Sequence, residues 1–122
     1  EEEPEVDPIE AEKAQYSKLI PTVAKIRALK DGEIELAFNP LKNKNVVSYK
    51  IQRSTNKNFT KNIRNYTKKQ KKDIIFYFNG KHMKKGTKYY YRVRAVVKLS
   101  DGTQYLCPWS KTKSAKCKRT RA

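Results

Sequence analysis

Apolar and polar positions alternate with a period of two along most of the chain. In the most regular stretch, Tyr89, Tyr91, Val93 and Ala95 fall on one side, and Tyr90, Arg92 and Arg94 on the other. That is the pattern of a half-buried strand, predicted here over Lys88–Lys98. Arginine is not packed unpaired in a core, but its stem can lie over an exposed sheet face, so the core lies on the Tyr89/Tyr91/Val93 side. The same period sets Ile34, Leu36 and Phe38 against Glu33, Glu35 and Ala37 in Glu33–Asn39. In the strand that follows Asn45, it sets Val47, Tyr49 and Ile51 inward and Lys50 and Gln52 outward.

Turn residues separate further short runs. Pro21 opens a strand over Thr22–Leu29, and Asp31-Gly32 is a tight turn. A short strand is expected within Thr60–Thr67, and another over Asp73–Phe78. In that one either Ile74, Phe76 and Phe78 or Ile75 and Tyr77 face inward, and the first set buries more area. Ser100-Asp101-Gly102-Thr103 is the turn into a last strand that starts near Gln104, breaks at Pro108 and resumes from Ser110 to Lys118. Seven short strands with no long helix are the signature of an all-β sandwich.

Two groups of residues resemble a known family. Met83-Lys84-Lys85-Gly86-Thr87-Lys88-Tyr89 resembles the corner before strand F of a fibronectin type III domain, where a tyrosine hydroxyl returns to a backbone group a few residues upstream. Met83 stands where the family usually has Leu, and Lys85 where it often has Pro. Tyr49–Thr55, continued by Asn56-Lys57-Asn58-Phe59, resembles fibronectin type III modules in secreted and cell-surface proteins of Gram-positive bacteria. Phe38 takes the place of the family's buried Trp. Pro108-Trp109-Ser110 resembles the Trp-Ser element before the last strand of many such modules; the doubled form of cytokine receptors is absent, with Leu106-Cys107 in its place. The resemblance spans Pro21–Lys118, 98 of the 122 residues.

It implies a seven-stranded immunoglobulin-like β-sandwich over residues 21–118, in which Tyr89, Gly86, Met83, Phe38, Tyr49, Ile51 and Trp109 are structural. Residues 1–20 then form an acidic linker with a short helix-capable run at Ile9–Tyr16, and residues 119–122 a basic tail. Strand parity gives Trp109 two options. Its ring lies on the outward face, stacked on Arg92 or Arg94 in a cation–π ladder, or it turns inward at the Pro108 bend and closes the bottom of the core.

Composition adds charge to this frame. The formal net charge is +17, yet residues 1–20 hold seven of the twelve acids, so residues 21–122 carry a net +22. Such a polycation attracts anionic polymers at long range, although a lysine-rich surface also serves solubility. The clusters that would hold a polyanion are Lys68, Lys69, Lys71 and Lys72 in an exposed loop, and Lys116, Lys118, Arg119 and Arg121 at the tail. Nothing supplies a helix or ribbon for base-specific readout, so nucleic acid would be bound only non-specifically.

Catalytic chemistry is not expected. His82 is the single histidine, in a turn; the five acids of the domain lie apart; and neither a glycine-rich phosphate loop nor a nucleophile elbow is present. No cofactor or metal is implied, and no apolar run approaches the roughly 20 residues of a membrane span. Cys107 and Cys117 bracket one strand; ten extended residues span roughly 33 Å, so two free thiols are expected. Asn58-Phe59-Thr60 and Asn65-Tyr66-Thr67 match the glycosylation acceptor pattern, which arises readily by chance in a chain rich in Asn and Thr.

The functional expectation is a non-catalytic, monomeric spacer or adhesion module of a larger extracellular or cell-surface protein, whose partners are neighbouring domains of the same chain. The alternatives are a module binding a polyanion or cell-wall component, such as teichoic acid, a glycosaminoglycan or nucleic acid, and an accessory domain docked on a neighbouring enzyme.

Overall fold

The computed structural model describes residues 8–29, 33–39, 41–69, 75–78, 84 and 86–117. Two antiparallel sheets face each other. The smaller has the order β1 (Thr22–Ala28), β2 (Ile34–Asn39), β5 (Ile75–Phe78). The larger has the order β4 (Arg64–Lys68), β3 (Val46–Ser54), β6 (Lys88–Lys98), with β7 (Gln104–Leu106) and β8 (Lys113–Lys116) on the far side of β6. β7 and β8 are two pieces of one interrupted strand: β7 pairs with Val96–Lys98 and β8 with Lys88–Tyr91. Across the gap the backbone still reaches β6, through Cys107 N–H to Ala95 O at 3.0 Å and Ser110 N–H to Val93 O at 2.7 Å. Seven strands in two layers are the sandwich the alternation predicts.

The core follows the same alternation. Ile34 and Leu36 from β2, Tyr49 and Ile51 from β3, and Tyr91 and Val93 from β6 are almost completely buried. Each aliphatic side chain of this kind contributes about 1.5–3 kcal/mol by leaving water. Phe38 meets Tyr49 edge-on with ring centroids 4.9 Å apart, and the Tyr49 hydroxyl accepts a hydrogen bond from Leu41 N–H at 2.8 Å. The register of β5 sets Phe76 opposite Leu36 and Phe78 opposite Ile34.

The facing of Val47 differs from the strict alternation. Val46 pairs with Val97 and Ser48 with Val96, so Val47 is the extra residue of a bulge; Val46 is buried in its place, and the pattern resumes at Tyr49. Lys68 also differs from expectation, since it closes β4 opposite Tyr49 and is half-buried, not part of a loop.

The N-terminal segment lies against the sandwich over its described part. Helix α1 (Pro8–Ala14) is followed by a turn within which Tyr16 is buried in the core cluster. The Tyr16 hydroxyl accepts from Asn45 Nδ2 at 2.8 Å, and the Glu12 carboxylate accepts from Ser100 N–H and its hydroxyl, both at 2.7 Å. These contacts hold α1 to the end of the sandwich where β3 begins and β6 ends.

Candidate functional site

On the outward face of the larger sheet, Arg92 and Arg94 project from β6 towards the gap between β7 and β8. Trp109 lies there with its ring between them, 4.4 Å from the Arg92 guanidinium carbon and 4.1 Å from that of Arg94. Of the two options left by strand parity, the ring takes the outward one. The phenyl ring of Phe59 covers the Arg92 guanidinium at 4.1 Å, which makes a row of Phe59, Arg92, Trp109 and Arg94. Gln52 Oε1 accepts from Arg92 Nε at 2.8 Å and from Nη2. Burial first, and then repulsion from Arg94, hold Arg92 below the usual guanidinium value; Arg94 is lowered chiefly by burial. With both guanidinium groups only partly buried, each of these cation–π contacts contributes about 0.5–1 kcal/mol.

Local sequence explains why the rings are there. Ser110 fixes Trp109, because its hydroxyl accepts from Val93 N–H at 2.9 Å beside the backbone bond already described. Phe59 sits in a loop tied by Asn56, whose side-chain oxygen accepts from Thr60 N–H at 2.9 Å, and by Ser54, whose hydroxyl donates to Lys61 O at 2.7 Å. That loop needs left-handed backbone at Phe59 (φ 54°) and Asn62 (φ 51°), which Asn tolerates better than Phe. Phe59 was not apparent from strand parity, since it lies in a loop; the available signal was a lone aromatic in a run of Asn, Lys and Thr.

At the corner before β6, the Tyr89 hydroxyl accepts from Lys84 N–H at 2.8 Å, a return of five residues. Gly86 supplies the left-handed turn (φ 82°), and its N–H donates to Cys117 O at 2.9 Å. The open face of the Tyr89 ring carries the guanidinium of Arg53 at 5.0 Å. Arg53 has the inward parity of Tyr49 and Ile51 and is buried. It was not singled out from the sequence; the available signal was its parity, two residues beyond Ile51.

The basic candidates are not gathered into one patch among the described residues. Lys68 and the exposed Lys69 lie at the β4 edge of the larger sheet, whereas Lys116 is exposed on the β8 edge. In register Lys68 lies level with Tyr49 and Ala95, and Lys116 with Lys88, seven residues along β6. Lys71, Lys72, Lys118, Arg119 and Arg121 lie outside the described residues, as do His82 and Met83.

Among the described residues, no three His, Cys, Asp or Glu side chains gather to hold a metal, and no helix is long and apolar enough to cross a membrane. Cys107 and Cys117 are buried thiols that form no disulfide. Burial pushes the Cys107 thiol up to about 11, with Arg94 pulling the other way, so it stays protonated and poorly nucleophilic at neutral pH. Hydrogen bonds from Thr103 hold the Asp101 carboxyl below its usual value, the ordinary chemistry of a turn cap.

No protein-family model matches the sequence, and no curated protein matches it significantly. Solved structures do resemble it. The FN1–FN3 domains of chicken CNTN1 match with a TM-score of 0.62 and 20% identity, over 80% of this chain and 31% of that one. A structure described as a myokine matches with a TM-score of 0.58 and 17% identity, over 80% and 95%. An Fn3-like protein from Clostridium thermocellum matches with a TM-score of 0.52 and 20% identity, over 79% and 88%. At these identities the likeness concerns fold, and in fold this chain is a fibronectin type III-like β-sandwich.

Proposed function

We propose that this chain is a non-catalytic spacer or adhesion module of a larger extracellular or cell-surface protein. The observation that carries the reading is the Phe59–Arg92–Trp109–Arg94 row. Among the described residues, Arg92 and Arg94 on the outward face of the larger sheet are engaged in internal stacking, which stiffens the sheet edge and presents no reactive group. The fold supports it too, since the CNTN1 fragment carries three such domains in series and this chain matches about a third of it. The test is to exchange residues 8–117 in the parent protein for an unrelated sandwich domain of similar length. A spacer leaves the parent's activity and surface display intact, an adhesion module loses attachment alone, and loss of catalytic turnover overturns both in favour of an accessory domain docked on an enzyme.

The net charge of +17 favours a second reading, polyanion binding at either of two separate clusters, Lys68, Lys69, Lys71 and Lys72 or Lys116, Lys118, Arg119 and Arg121. Binding to heparin or a teichoic acid mimic would then weaken steeply between low and physiological salt, and reversing the charges at positions 68–72 would flatten that slope. Elution from heparin no later than a neutral sandwich domain would leave the charge a matter of solubility.

A further inference from the structure

We propose that the cleft at the Tyr89 corner, floored by the buried guanidinium of Arg53, binds one oxyanion group (phosphate, sulfate or carboxylate) carried on a sugar-sized molecule. The cleft lies between the end of β3, the 55–63 loop, the start of β4 and the corner before β6, and has a volume of about 730 Å³. It lies at the opposite end of the sandwich from α1 and shares no residue with the lysine clusters considered above.

The floor is the reason for the assignment. Arg53 is 4% exposed, and its Nε is buried with no hydrogen-bond partner. Buried charges are ordinarily paired, because a lone one forfeits its hydration without return. The aromatic neighbours supply no counter-charge: the Tyr89 hydroxyl is committed to Lys84 N–H, and the Tyr91 phenol, which is hydrogen-bonded to the Arg53 side chain, is pushed well up by burial and stays neutral, a dipole only. No carboxylate lines the cleft among the described residues. Instead two more cations, Arg64 and Lys84, stand on its walls, and neither has an ion-pair partner among those residues. Three cations converging on one concave site, with the innermost desolvated, is an arrangement completed by an anion.

Size and lining define the rest of the ligand. The volume falls within the range of organic-ligand pockets, roughly 300–1,000 Å³, and far exceeds what a bare ion fills. Thr55, Asn62 and Thr87 offer hydroxyl and amide groups suited to a polyol, and Ile63, 40% exposed, gives one apolar wall.

Amide chemical shifts of the intact chain report on the site directly, with glucose 6-phosphate, glucuronate, inorganic phosphate, inorganic sulfate and glucose as probes. The expected result is saturable movement of the Asn62, Ile63 and Thr87 amides with glucose 6-phosphate or glucuronate, weaker movement with phosphate and sulfate, and none with glucose. The double variant R64Q/K84Q should bind about tenfold more weakly or worse, while K44Q/K98Q, which removes the same charge at the other end, should bind as the wild type does. R53M should abolish binding; if it fails to fold, the two double variants decide. Equal weakening by both doubles, or shifts that spread over the lysine-rich surface without saturating, would overturn the site in favour of general polycation binding. Free phosphate or sulfate binding as tightly as the sugar acids, or glucose binding as well as they do, would overturn the assigned ligand class.

Discussion

On the outward face of the β1-β2-β5 sheet, one carboxylate serves two cations. Glu35, itself covered, lies 3.1 Å from Arg27 Nε and 3.5 Å from Lys25 Nζ, and both basic side chains are more than half exposed. On the outward face of the larger sheet, Arg92 and Arg94 meet no acid among the described residues, and aromatic faces take its place. Residues 21–122 hold only five acids for 27 basic side chains, so most cations must be accommodated without ion pairs. Rings do this by contact and quadrupole with little dependence on counterions, whereas the Glu35 cluster is ordinary electrostatics under partial screening. In such a basic sandwich, aromatic residues are structural counter-charges as well as core formers.

The largest break in this comparison is Trp109→Ala, which removes the rung between two guanidinium groups and opens the gap between β7 and β8. It should cost about 2–4 kcal/mol, read as a lower urea midpoint at constant slope. Trp109→Phe should restore part of the loss, and an unchanged midpoint for the alanine variant would mean the row is decoration. Tyr89→Phe comes next, because it keeps the ring under Arg53 and removes only the hydroxyl that Lys84 N–H uses. Its cost should be roughly 1–3 kcal/mol, from a backbone donor left without a partner. A midpoint equal to wild type would show that stacking on Tyr89, and not its hydrogen bond, holds the corner.

Most of the fold was readable because it rests on parity. Tyr89, Tyr91 and Val93 inward with Arg92 and Arg94 outward follow from period two alone, and the Lys88–Lys98 strand matches to the residue. Parity failed where the backbone inserts a residue: the bulge at Val47 exchanges the roles of two valines, and no residue type there announces it. It was silent for groups outside strands. The burial of Tyr16 and the grip of Glu12 on Ser100 depend on contacts made across most of the chain's length, which local pattern does not encode. The row of rings was half legible, since parity offered Trp109 either the outward place on Arg92 or Arg94 or an inward turn at Pro108, whereas Phe59 reaches Arg92 only because the Asn56-tied loop turns through left-handed backbone.

The finest test compares Glu35→Gln with Phe59→Leu, two changes that keep approximate side-chain volume and remove one kind of partner each. Glu35→Gln leaves Lys25 and Arg27 with a neutral amide, and because both cations are well exposed the loss should be only about 1 kcal/mol at low salt. Phe59→Leu keeps an apolar cover over Arg92 and removes the ring quadrupole, for about 0.5–1 kcal/mol. The magnitudes nearly coincide, so the discriminating observable is their response to salt. Raising salt to about 1 M shortens the screening length to about 3 Å, comparable to the Glu35 ion-pair distances. The gap between wild type and Glu35→Gln should therefore shrink by half or more. The gap for Phe59→Leu should persist, because the Arg92 face that it touches is in van der Waals contact with the ring and shielded from ions. Parallel shrinkage of both gaps would show that the two faces obey the same screened electrostatics, and that Phe59 acts as a greasy lid without any partnership with the guanidinium.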